Sequence, residues 1–155
     1  MVINIETNGG SLFRNITGFK NFEYIYLDFG NSIKLDEQDY LLKNEEIICL
    51  RILYEYFIMK KYNLNFLIFR ERILPYIKTL NIQDVFGSIR NSLSLKDDER
   101  LFIFLHIDEF QRIFKWDENR NDKLFKYMIN DLAPEHMYGN GSQLTFVQEF
   151  FSGTA

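Results

Sequence analysis

The sequence holds one cysteine and two histidines: Cys49, His106 and His136. A structural zinc site takes four Cys or His ligands, so that class is excluded. The same shortage leaves no Cys/His or Ser/His/Asp set for nucleophilic catalysis. Cys49 has no partner for an intrachain disulfide and reads as a buried core residue in a reducing compartment. Prolines number only two, while 46% of residues are hydrophobic, with 16 Phe and 9 Tyr. That composition argues against disorder. Positive charge is also short: the net charge of −4 gives no global attraction to a phosphate backbone, hence no nucleic-acid footprint. The first residues, MVINIETNGG, lack the basic and apolar regions of a signal peptide. The most hydrophobic stretch, 47–59, is too short to span a bilayer and carries Arg51 and Glu55. A single intracellular domain without a membrane partner is expected over 1–155, with an irregular segment at 1–21.

Short aromatic and β-branched runs predict strands at 22–29 (FEYIYLDF), 101–107 (LFIFLHI) and 144–151 (LTFVQEFF). Between the first two, residues 44–62 read as a helix that is apolar almost all round. Arg51 and Glu55, at i and i+4, are expected to mark its one solvated edge. A second helix at 66–80 should be kinked or divided by Pro75. Asn81 caps a third, running to 94, with Ile82, Val85, Phe86, Ile89 and Leu93 inward. KWDENRND (115–122) reads as polar loop, and 122–132 as a helix with Leu124, Phe125, Met128 and Ile129 inward. A long loop, APEHMYGNGSQ, carries His136. Strands separated by helices imply crossovers, so the expected fold is α/β: three layers, a mostly parallel sheet and helices on both faces.

In such a sheet functional groups collect beyond the carboxyl ends of the strands. Asp28 stands near the first end, Asp108 and Glu109 at the second, and Ser152-Gly153-Thr154 at the third. One carboxylate of a pair can serve Mg2+, and its neighbour can deprotonate a water. The plainer readings weigh against each residue separately. Acids often end an apolar strand because loops are wet, Asp28 before Gly30 suits a turn, and Ser152 and Thr154 fit a polar turn. His106 reads as a packed core histidine.

The segments YIYLDFGNS, CLRILYEYF, LFIFLHIDEFQ and FVQEFFSGTA, in this order, resemble the ATPase domain shared by crinkler proteins and trypanosomatid retrotransposon hot spot proteins. Those are P-loop NTPases related to the AAA and STAND groups, and the resemblance covers about 22–155. It implies that the strand ending in Asp-Glu is a Walker B motif. Asp108 is then the Mg2+-site acid, acting through water, and Glu109 the catalytic base. Thr154 or Ser152 becomes the sensor residue, with ATP and Mg2+ as cofactors. Gln111 takes no assigned role. Secretion as an effector into a host cell would follow from the family only.

The chain departs from the family's pattern, most plainly in its phosphate loop. It has no G-x-x-x-x-G-K-[ST] sequence, whose backbone amides and lysine cradle phosphate; TNGGSLFRN (7–15) does not supply it. A fragment of a nucleotide-hydrolysing domain is therefore expected, binding ATP weakly or not at all by itself. Its strand 144–151 should present an edge to the rest of the domain, to a protein partner, or to MVINI. The alternative is a non-catalytic interaction module or a degenerate remnant of the same fold.

Overall fold

The computed structural model describes residues 21–132 and 145–154. The N-terminal segment with its MVINI run, and the loop carrying His136, lie outside the described residues. Three parallel strands form the sheet in the order β1 (Asn21–Asp28), β2 (Leu101–Asp108), β3 (Thr145–Ser152). They are in step along their whole length. Asn21 pairs with Leu101 and Leu101 with Thr145; Asp28 pairs with Asp108 and Asp108 with Ser152. All three strands therefore end on one line. Among the described residues β3 pairs only with β2.

Side chains alternate across the pleat. Ile25, Leu27, Leu101, Ile103, Leu105, Ile107 and Val147 point to one face and are buried. The main helix against it is α1 (Asn44–Leu53), where Ile47, Ile48, Cys49, Leu50 and Ile52 have no exposed surface. A helix buried on nearly all sides must be covered by other elements. Those include a π turn at Tyr54–Ile58, α2 (Phe66–Ile73), α3 (Ile82–Ser92), α4 (Gln111–Asp117) and the short α5 (Leu124–Tyr127). The result is the expected α/β class: a parallel sheet flanked by helices. No helix among the described residues is long and apolar enough to cross a membrane.

Local signals hold where they are chemical. Asn81 accepts the N–H of Asp84 at 2.8 Å and caps α3, whose Ile82, Val85, Phe86 and Ile89 are buried. Pro75 falls in a 3-10 turn, Leu74–Thr79, that ends α2.

Three expectations are corrected. Arg51 and Glu55 are not a solvated edge: Arg51 is 0% and Glu55 7% exposed. Arg51 instead forks onto Asp39 at 2.8 and 3.1 Å, and donates to the carbonyls of Ile33, Lys34 and Ile47 at 2.9, 2.9 and 3.1 Å. Arg70 joins this ion cluster through Asp36 at 2.6 Å and Asp39 at 3.2 Å. The first part of the expected loop 115–122 is helical. Asp117 ends α4, is buried, and accepts the N–H groups of Leu124 and Phe125 at 3.0 Å each, capping α5. Ile129 is 42% exposed rather than inward. It lies in a π turn, Met128–Leu132, in which Met128 and Leu132 are the buried residues.

Candidate functional site

Because the strands are in register, the rim holds Asp28, Asp108 and Ser152 side by side, with Glu109, Gln111 and Thr154 just beyond. Each predicted site residue of the three strand ends reaches this rim.

Asp28 begins a turn. Its Oδ1 accepts the N–H of Gly30 at 2.9 Å, the turn-forming role its sequence context suggested. Gly30 then passes directly against Glu109: a Cβ built on it would stand 2.7 Å from Glu109 Cγ. No larger residue fits without displacing that side chain.

Asp108 is tied to both neighbouring strands. Oδ1 accepts Ser152 Oγ–H from β3 at 2.8 Å and the Glu109 N–H at 2.9 Å. Oδ2 accepts the Tyr26 hydroxyl from β1. These donors favour the charged form, and the Tyr26 bond does most to hold the Asp108 carboxyl below the usual carboxylate range. The reciprocal effect raises Tyr26, whose phenol is pushed up first by burial and then by the neighbouring carboxylate.

Glu109 turns the chain with φ 58°, a left-handed conformation that a non-glycine residue adopts at a cost of about 1 kcal/mol. Its carboxylate is approached by Gln111 Nε2 and by the Thr154 hydroxyl at 3.3 and 3.5 Å. Gln111 Nε2 also reaches Thr154 Oγ1 at 3.3 Å. Gly153 lets Gln111 in, since a Cβ there would overlap its side-chain oxygen. The acid proposed as base and the hydroxyl proposed as sensor thus face each other across a gap of one hydrogen bond.

His106 is half-buried on the second face of the sheet, where it is more than a packed residue. Its Nδ1 lies 2.5 Å from Tyr24 Oη and its Nε2 2.7 Å from Ser152 Oγ. Burial lowers its pKa, so the neutral ring is favoured. Ser152 has a single proton and gives it to Asp108; Nε2–H must then be the donor to Ser152, and Nδ1 the acceptor from Tyr24. The chain Tyr24–His106–Ser152–Asp108–Tyr26 is hydrogen-bonded throughout, ordering the rim from behind. Sequence reasoning missed Tyr24, Tyr26 and His106 as supports. The available signal was the pleat: 24, 26, 106 and 108 fall on one face once β1 and β2 are taken as parallel.

Among the described residues no group of three or more His, Cys, Asp or Glu is arranged to hold a metal ion. A Mg2+ would use Asp108 with water and ligand oxygens rather than a protein cage, the way this cation is often bound beside phosphates. Asp108 Oδ2, with one donor among the described residues, keeps acceptor capacity for such a water. Comparison with protein-family models, with known proteins and with solved structures gave no match to this chain.

Proposed function

We propose that this chain carries the acidic half of a nucleoside-triphosphate-hydrolysing site. The observation that supports it is the meeting of Asp108, Glu109, Ser152 and Thr154 at the carboxyl rim of a parallel sheet, where Ser152 donates to Asp108 and Thr154 to Glu109. In this reading Asp108 would hold Mg2+ through water. When bound, that ion supplies charge neutralisation at phosphate oxygens. Glu109 Oε1 or Oε2 takes a proton from the attacking water, and Thr154 Oγ1 fixes that water's position. Ser152, with His106 behind it, keeps Asp108 ionised and aimed.

The glycine-rich G-x-x-x-x-G-K-[ST] loop is not in this sequence, so affinity for nucleotide should be in about the millimolar range, where binding is worth roughly 4 kcal/mol. The test is an amide NMR titration with MgATP, paired with a phosphate-release assay. Shifts at 28–30, 108–112 and 152–154, weakened by Asp108→Asn, are expected; Glu109→Gln should keep binding and remove release. A rim that stays silent at saturating nucleotide overturns the reading.

One observation favours a second reading, a non-catalytic interaction module. Leu41, Leu67 and Ile68 are 88, 56 and 40% exposed around one groove. Under that reading Asp108→Ala changes stability and nothing else.

A further inference from the structure

On the other side of the Gly30 turn lies a cleft with no part in that scheme. It is a concavity of about 350 Å³ between the exit of β1 and helix α4. Buried Phe29 and Gly30 form one wall, Trp116 another, and Lys34, Arg112 and Lys115 also line it. In a chain of net charge −4, three cations around one cleft reverse the sign locally.

Three arginines elsewhere in the fold are already engaged. Arg51, Arg70 and Arg120 each pair with an acid. For Lys34, Arg112 and Lys115 no side-chain ion pair or hydrogen bond occurs among the described residues. Across the turn, Asp28 accepts the Gly30 N–H, and Glu109 accepts from Gln111 and Thr154. The walls are also fixed. Trp116 stacks on Tyr40 at 4.8 Å, lies 4.3 Å from the Arg120 guanidinium, and donates Nε1–H to the Asp36 carbonyl at 3.1 Å. Arg51 holds the carbonyls of Ile33 and Lys34, so the backbone that carries Lys34 is set by the core.

We infer that this cleft binds a compact oligophosphate, with its oxygens toward Lys34, Arg112 and Lys115. One carboxylate would be matched by one guanidinium; three unpaired cations around a space of this size suit two or three linked phosphate units. The inference does not need hydrolysis at Glu109. It does place the bound anion beside that residue, because Gly30 both lines the cleft and touches Glu109. The phosphates come either from a free oligophosphate or from the tail of a nucleotide.

The experiment is calorimetric and NMR titration of the full chain with pyrophosphate, at low and then moderate salt. Saturable binding that weakens with salt is expected, with amide shifts over 29–35 and 111–116. Lys34→Ala, Arg112→Ala and Lys115→Ala should each weaken it about threefold to tenfold. The triple Lys34→Gln/Arg112→Gln/Lys115→Gln variant should lose it while keeping its circular dichroism and unfolding midpoint. ADP binding tighter than pyrophosphate would mark a nucleotide as the source; equal affinity would mark the free oligophosphate. Pyrophosphate that fails to bind saturably, or a folded triple variant that binds it as tightly as wild type, overturns the inference. Asp108→Asn separates the two proposals: it should leave pyrophosphate binding intact whether or not the rim hydrolyses anything.

Discussion

Replacing Arg51 with methionine keeps the unbranched stem and deletes the charge, which makes it the sharpest test of what fixes the β1 exit. The guanidinium has no exposed surface and donates five hydrogen bonds, three to backbone carbonyls and two to Asp39. Its Cζ also lies 4.6 Å from the Phe66 ring centre. Breaking a buried pair by removing one partner costs about 3–5 kcal/mol, because the remaining charge stays buried. Asp39 keeps Arg70 at 3.2 Å, which moderates that loss, while the carbonyls of Ile33, Lys34 and Ile47 lose a donor at about 1 kcal/mol each. A loss near 4 kcal/mol is expected, against the roughly 5–15 kcal/mol that holds a domain together. Urea unfolding followed by circular dichroism reads it as a lower midpoint at unchanged slope. The Asp39→Asn/Arg51→Met double variant should lose less than the two single losses added together. A single-variant loss below about 1 kcal/mol would refute the reasoning, since Arg51 would then be solvated or dispensable.

Substitutions at three further positions follow. Glu55 accepts Ser32 Oγ–H at 3.2 Å, but burial raises its pKa from 4.5 to about 7. The folded state binds this proton more tightly than the unfolded, so the Glu55 contribution to stability is full below about pH 4.5 and is lost as the pH rises through about 7. Glu55→Gln should flatten that slope, worth about 3 kcal/mol at most, in unfolding midpoints measured across the range. Glu109→Gly relieves the left-handed conformation and should stabilise the fold by about 1 kcal/mol while removing phosphate release; Glu109→Ala should give no such stabilisation. Gly30→Ala forces a methyl against Glu109 Cγ and should cost about 1–3 kcal/mol, with shifts at the Glu109 and Gln111 amides. An alanine variant as stable as wild type would show that the turn and the acid can separate.

Much of the sheet was legible because a strand buried between neighbours reads as an apolar run that ends where polar residues begin. β2 is LFIFLHID, and its register with β1 and β3 follows once all three are taken as parallel and of equal length. The misses have tertiary causes. Arg51 and Glu55 have the spacing of a solvated helix pair, and nothing local announces that Asp39, twelve residues upstream, takes the arginine into the core. α4 buries only Ile113 and Asp117 over its seven residues, too few for a periodic signal to rise above the polar composition around it. The cleft was invisible for a related reason. Lys34, Arg112 and Lys115 come from segments that meet only after the sheet has brought the end of β1 beside the end of β2.

An acid at the end of an apolar strand usually caps the next helix or faces water, and that plainer account can be weighed against Asp108 and Glu109 directly. Neither carboxylate caps α4: its first turn is closed by backbone, Arg112 N–H to Glu109 C=O at 2.9 Å and Ile113 N–H to Phe110 C=O at 2.9 Å, and Phe110 at the N-cap has no side-chain bond. Asp108 is instead joined to Tyr26 on one neighbouring strand and Ser152 on the other, with His106 and Tyr24 ordering the serine. A wet strand end needs no such anchoring. Glu109 adds the stronger point, since it occupies a backbone conformation that glycine would adopt without strain. Among the described residues its carboxylate accepts only from Gln111 and Thr154, partly exposed groups whose bonds are worth little to stability. A residue that costs about 1 kcal/mol where it stands, and offsets little of that cost through its contacts, is better explained by what its carboxylate does than by how it holds the fold.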